Sequence, residues 1–126
     1  PHKDMALLKS PTLLIKSIER YLTTPFGEKY SGTQLNPVHW RVLVLQRDLI
    51  PLYIGQGLWS QAAELLVRHI AAENKVRPRY HHARLVNYVT LLHAIEHLPA
   101  AQQQKYHNGA LVDWDNYEAI KKIFHA

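Results

Sequence analysis

Apolar residues recur along most of the chain at helical spacing, and the gaps between these stripes carry residues that start or end helices. Leu14, Ile15, Ile18, Tyr21 and Leu22 form the first stripe. Ser10-Pro11 marks its start, because Ser accepts from first-turn amides and Pro suits the first helical position. Thr23-Thr24-Pro25 ends it, and residues 25–36, with two glycines and no period, read as a loop. Asn36-Pro37 repeats the start signal before Val38, Val42, Leu45, Leu49 and Leu52. The alternation of Val38, Trp40, Val42 and Val44 competes as a strand; the longer helical stripe and the caps favour a helix. Pro51 is expected to kink or break that helix, since its ring meets the carbonyl of Arg47.

Gly55-Gln56-Gly57 predicts a turn, followed by a helix from about residue 58 to 73 with Ala62, Leu65, Leu66 and Ile70 inward. The next helix runs from about Arg79 to Leu98, stopped by Pro99, with Leu85, Tyr88, Val89, Leu92 and Ile95 inward. A short helix from about Ala100 to Tyr106 ends at Asn108-Gly109, a C-terminal cap pair. Asp115 with Glu118 resembles a capping box, and Tyr117, Ile120, Ile123 and Phe124 give the last helix a buried face. The prediction is an all-α fold, an irregular orthogonal bundle of five or six helices.

The length of 126 residues implies one helical domain, 1–126, whose first nine residues read as a flexible N-terminal segment. A first residue other than Met fits a domain excised from a longer protein. Apolar content of 47% with 20% charged residues is globular rather than disordered. No apolar run is long enough to span a bilayer, and the N-terminus lacks a signal peptide's apolar core and cleavage site. The lack of cysteine excludes disulfides, thiolate catalysis and Cys-based zinc sites, and agrees with a cytoplasmic location. A net charge of +5, with nine further histidines, favours acidic partners.

That charge is concentrated in "NKVRPRYHHAR", residues 74–84, where Lys75, Arg77, Arg79 and Arg84 surround His81 and His82 with no acid among them. Pro78 biases Arg77 towards extended backbone. Cations at the start of the following helix oppose its dipole, at about 0.3–1 kcal/mol each when exposed. An anionic partner therefore explains them better than helix stability does, with Tyr80 as one stacking ring. A solvated basic loop is the plainer alternative. The expected function is a non-catalytic protein-interaction module whose basic seam engages an acidic protein surface or peptide. The alternative is a nucleic-acid-binding domain contacting phosphates through the same seam. A protein partner also needs an apolar anchor, for which Trp40, Trp59 and Trp114 are candidates.

Within residues 49–69, Leu49, Tyr53, Gly57, Trp59, Ala62 and Leu66 fall at spacings that resemble one tetratricopeptide-type helical hairpin. Ile50 stands where that family prefers Gly, and His69 where it prefers Ala. No second unit lies 34 residues away in either direction, whereas such domains need about three. The resemblance implies a peptide- or protein-binding groove and no chemistry.

Chemical motifs are sparse. Gly55-x-Gly57 lacks the third Gly and the Lys-Ser/Thr of a phosphate cradle. No Ser-His-Asp arrangement can be assembled, and Asp113 and Asp115 beside Trp114 read as caps. "HAIEH", residues 93–97, has the H-x-x-E-H spacing of inverted zincins, in which two His share a helix face and Glu is the base. Those enzymes take a third ligand from a distant Glu, and only 29 residues remain after His97. The expectation is no enzyme, no cofactor and no metal, with His93 and His97 as the sole metal-ligand candidates.

Overall fold

The computed structural model describes residues 10–23 and 40–125, with the side chains of Trp40 and His125 excepted. The predicted loop at 25–36, Val38 and the N-terminal segment 1–9 lie outside these residues. The described residues form six helices and no strand: α1 (Pro11–Leu22), α2 (Trp40–Gly55), α3 (Trp59–Glu73), α4 (His82–Ile95), α5 (Ala100–His107) and α6 (Trp114–His125). None is long and apolar enough to cross a membrane.

Ser10 caps α1, its Oγ accepting from the Leu13 amide at 3.3 Å. Ile15 and Ile18 bury against α2, and the Tyr53 hydroxyl donates to the Glu19 carboxylate across that junction. Burial, and then Glu19, push the Tyr53 hydroxyl's pKa up.

Residues 40–50 are helical, so the strand alternative falls: Val42 is buried and Val44 exposed, as two residues of spacing require on a helix. Pro51 does not end α2, which continues to Gly55. Pro51 stands on the exposed side, where a carbonyl that loses its amide partner can turn to water. Gly57, at φ 70°, makes the reversal into α3.

The α3 helix is the middle element. It packs on α2 along one side and on α4 along another, which explains why Ala62, Ala63, Leu65, Leu66, His69, Ile70, Ala72 and Glu73 are all buried. In turn α4 carries α6, which runs antiparallel to it, placing Tyr88 beside Tyr117 and His82 beside Phe124.

Three predicted details differ. The α4 helix spans 82–95 rather than 79–98, because His81 is its cap: Nδ1 accepts from the Ala83 amide at 2.9 Å. Val89 is exposed, as are Ile123 and Phe124, although the Phe124 ring meets the His82 ring edge-on at 5.3 Å. The α6 cap is Asp113, whose Oδ1 accepts from Asn116 N at 3.1 Å, while Glu118 pairs outward with Lys121. The end of α5 is as predicted, with Gly109 at φ 83° after Asn108.

Candidate functional site

Because α2 and α4 both lean on α3 with few contacts between themselves, an open groove lies between them with α3 as its floor. Its apolar half, about 190 Å³, is lined by Ile50, Ile54, Leu66 and Val86 together with His69 and Thr90. Its polar half, about 370 Å³, is lined by Arg47, Glu73, Arg77, His81, His82 and Asn87. Arg47, Val86 and Asn87 belong to both halves, so the groove is continuous.

The polar half is organised around Glu73, whose side chain is 2% exposed. Arg47 from α2 donates to Oε1 at 2.9 Å, Arg77 from the connector to Oε2 at 3.3 Å, and Asn87 from α4 to Oε2 at 3.5 Å. His69, one turn earlier on α3, places Nε2 3.3 Å from Oε1 without hydrogen-bond geometry, and its Nδ1 lies 3.0 Å from Gln46 Oε1. The His69 imidazole and then the Arg47 guanidinium hold the Glu73 carboxyl at about 2, against burial, which acts to raise it. Glu73 thus stays ionised and ties three elements together.

The basic stretch divides in two. Arg84 turns inward and is 8% exposed. Its NH1 donates to Asn116 Oδ1 at 3.1 Å, and its NH2 donates to the carbonyls of Asn74 and Arg77 at 2.8 and 2.7 Å. Asn116 returns a bond from Nδ2 to the Arg79 carbonyl at 2.9 Å. Tyr88 donates to Asn116 Oδ1 at 2.9 Å and accepts from Asn74 Nδ2 at 3.1 Å. Burial above all keeps that hydroxyl protonated by raising its pKa. Arg84 is therefore a latch on the connector backbone rather than a partner-facing group. Its charge also has a helix-based reason: the carbonyls it reaches follow the C-terminus of α3, where a cation is favoured.

The other predicted residues of the seam remain at the surface to different degrees. Lys75, Arg79, Tyr80 and His82 are exposed, with the Arg79 guanidinium 6.0 Å from the Tyr80 ring centre. Arg77 and His81 are half-buried, the first bound to Glu73 and the second capping α4. The groove collects Arg77, His81 and His82 and adds Arg47. Of the tryptophans, Trp59 and Trp114 are half-buried, and Trp114 donates to the Tyr106 carbonyl at 2.7 Å, which leaves little of it for an anchor.

Sequence reasoning missed Arg47, Gln46, His69, Glu73 and Asn116. One signal was available for Glu73. It is an acid at a helix C-terminus, an unfavourable place for it, four residues from both His69 and Arg77. Nothing comparable marks Gln46 or Asn116, whose partners are 23 and 32 residues distant.

At the other end of α4, His93, Glu96 and His97 each offer a ligand atom within 4.8 Å of the other two, the one such group of three among the described residues. Glu96, inside the motif, thus adds a carboxylate to the two imidazoles. No protein-family model, curated protein or solved structure matches the chain.

Proposed function

We propose that this domain is a non-catalytic interaction module whose α2–α4 groove takes an acidic, aliphatic-bearing segment of a partner protein. The observation that supports this most is Glu73 itself. The groove already holds one carboxylate between two arginines from different elements, Arg47 and Arg77. Arg47 remains 53% exposed while doing so, and a guanidinium has five donors. An incoming carboxylate finds the same arginines at the rim, with His82 beside them. The apolar half then receives a Leu- or Ile-type side chain against Ile50, Ile54, Leu66 and Val86. The hairpin resemblance, which implies a peptide-binding groove, points the same way. Nucleic acid is less well served: Arg84 is withdrawn, Arg77 is partly neutralised, and Tyr80 is the one tyrosine, with no tryptophan, in the seam.

The test uses two probes on the whole chain: a fluorescent peptide of alternating Glu and Leu, with a Gln/Leu control, and a single-stranded oligonucleotide. The expected result is binding of the acidic peptide only, weakened by His82→Ala and by Val86→Asp with the helical spectrum unchanged. Val86 is 49% exposed, so the charge does not enter the core. Oligonucleotide binding that falls steeply with salt, with a slope near the number of phosphates contacted, overturns the reading in favour of nucleic acid. Binding of neither probe, or of both peptides alike, also overturns it.

A further inference from the structure

The C-terminal turn of α4 contributes no residue to the groove lining and has its own chemistry. We propose that it binds a divalent transition-metal ion of the zinc, nickel or copper class through His93, Glu96 and His97.

Spacings of three and four residues bring the three side chains to one helix face, and the structure brings one ligand atom of each within 4.8 Å of the others. Protonation of the rings follows from their partners. His97 Nδ1 lies 2.9 Å from the His93 carbonyl oxygen, which can only accept, so Nδ1 carries the proton and the neutral ring presents Nε2 as a lone pair. His93 Nδ1 lies 3.2 Å from Glu96 Oε1, and a carboxylate also accepts. These two atoms stand at a spacing that one ion spans, so the ion takes the place of the proton between Nδ1 and Oε1, while Nε2 of His93 faces away from Glu96. Metal-binding histidines are held as His97 is, with the second ring nitrogen donating to a carbonyl or carboxylate.

Trp59 supplies an independent observation. From the first turn of α3 its ring stacks on His97, with centroids 3.8 Å apart and planes 10° from parallel, and it meets His93 edge-on at 5.4 Å. Both imidazoles are thereby oriented by a neighbouring helix before any ion arrives, which lowers the ordering cost of binding. A metal approaches in the plane of an imidazole, so the stacked indole does not obstruct it. The helix end contributes too, because its last carbonyls favour a cation. Two imidazoles and one carboxylate suit zinc, nickel or copper better than magnesium or calcium, which prefer all-oxygen sites. Three protein ligands leave at least one position for water or for a group from another molecule.

Titration calorimetry of the whole chain with zinc chloride at neutral pH tests the proposal. The expected result is one ion per chain with a dissociation constant in the micromolar range or tighter. Glu96→Gln weakens it by about tenfold, and His93→Ala or His97→Ala by about a hundredfold. His81→Ala/His82→Ala leaves it within about twofold, which separates this site from the other histidines. Circular dichroism confirms that the variants fold, as expected for side chains 51% and 66% exposed at His93 and Glu96. Nitrogen-detected spectra show Nε2 of His97 and Nδ1 of His93 shifting. Affinity weaker than about 1 mM overturns the proposal, as does binding indifferent to His93→Ala. Equal affinity in Glu96→Gln removes the carboxylate and overturns the three-ligand site.

Discussion

The two ends of α4 carry clusters that look alike in sequence, and the fold uses them in opposite ways. At the N-terminal end, Arg84 is drawn under the connector and its donors go to backbone carbonyls and Asn116. At the C-terminal end, His93, Glu96 and His97 stay exposed and are ordered mainly by one another and by Trp59. The difference comes from what each end must close. The connector after α3 leaves carbonyls that need donors, and a long guanidinium is the side chain able to reach several at once. The turn after Ile95 closes with local backbone bonds, from Glu96, His97 and Leu98 to the preceding turn. Its side chains are left over for other chemistry.

The contrast predicts its largest effect at Arg84. Arg84→Ala is expected to destabilise the fold by about 3–5 kcal/mol, because the Asn74 and Arg77 carbonyls lose their guanidinium donor together and Asn116 Oδ1 keeps only Tyr88. Urea denaturation measures it. A loss below about 1 kcal/mol would mean that the connector is held without the latch.

Glu73 comes next. Glu73→Gln should cost on the order of 2–4 kcal/mol at neutral pH, since Arg47 and Arg77 lose their anion and the buried site keeps an imperfect substitute. The cost depends on pH in a defined direction. The carboxyl is lowered from an ordinary 4.5 to about 2, so its stabilisation is complete above 4.5 and is lost as pH falls towards 2. Melting curves of wild type and variant should converge over that window, and a constant gap would sink the assignment.

Tyr88→Phe tests the same inward network more gently. Loss of a hydroxyl that bonds both Asn74 and Asn116 should cost about 1–2 kcal/mol, read by the same denaturation experiment. At the small end, Arg79→Ala should change stability by no more than about 0.5 kcal/mol, because its side chain is exposed. A larger loss would move Arg79 from the surface side of the comparison to the structural side.

Periodicity and punctuation determined most of the architecture. The stripes, Ser10-Pro11, the glycine turn at Gly57 and the stop at Asn108-Gly109 placed the helices within a few residues, because these signals act through neighbours in the chain. The exposure of Val89, Ile123 and Phe124 was not legible, since it depends on where a neighbouring helix happens to end. The same limit hid the candidate sites. "NKVRPRYHHAR" announced charge but not its direction, because Arg84's acceptors include Asn116 on another helix. "HAIEH" announced two histidines on one helix face, but their orientation depends on Trp59, more than thirty residues earlier. Local spacing determines which face a residue occupies. Only the packing of α3 between α2 and α4 decided that a face becomes a groove, a latch or a cluster of ligands, because those outcomes require atoms that the sequence keeps far apart.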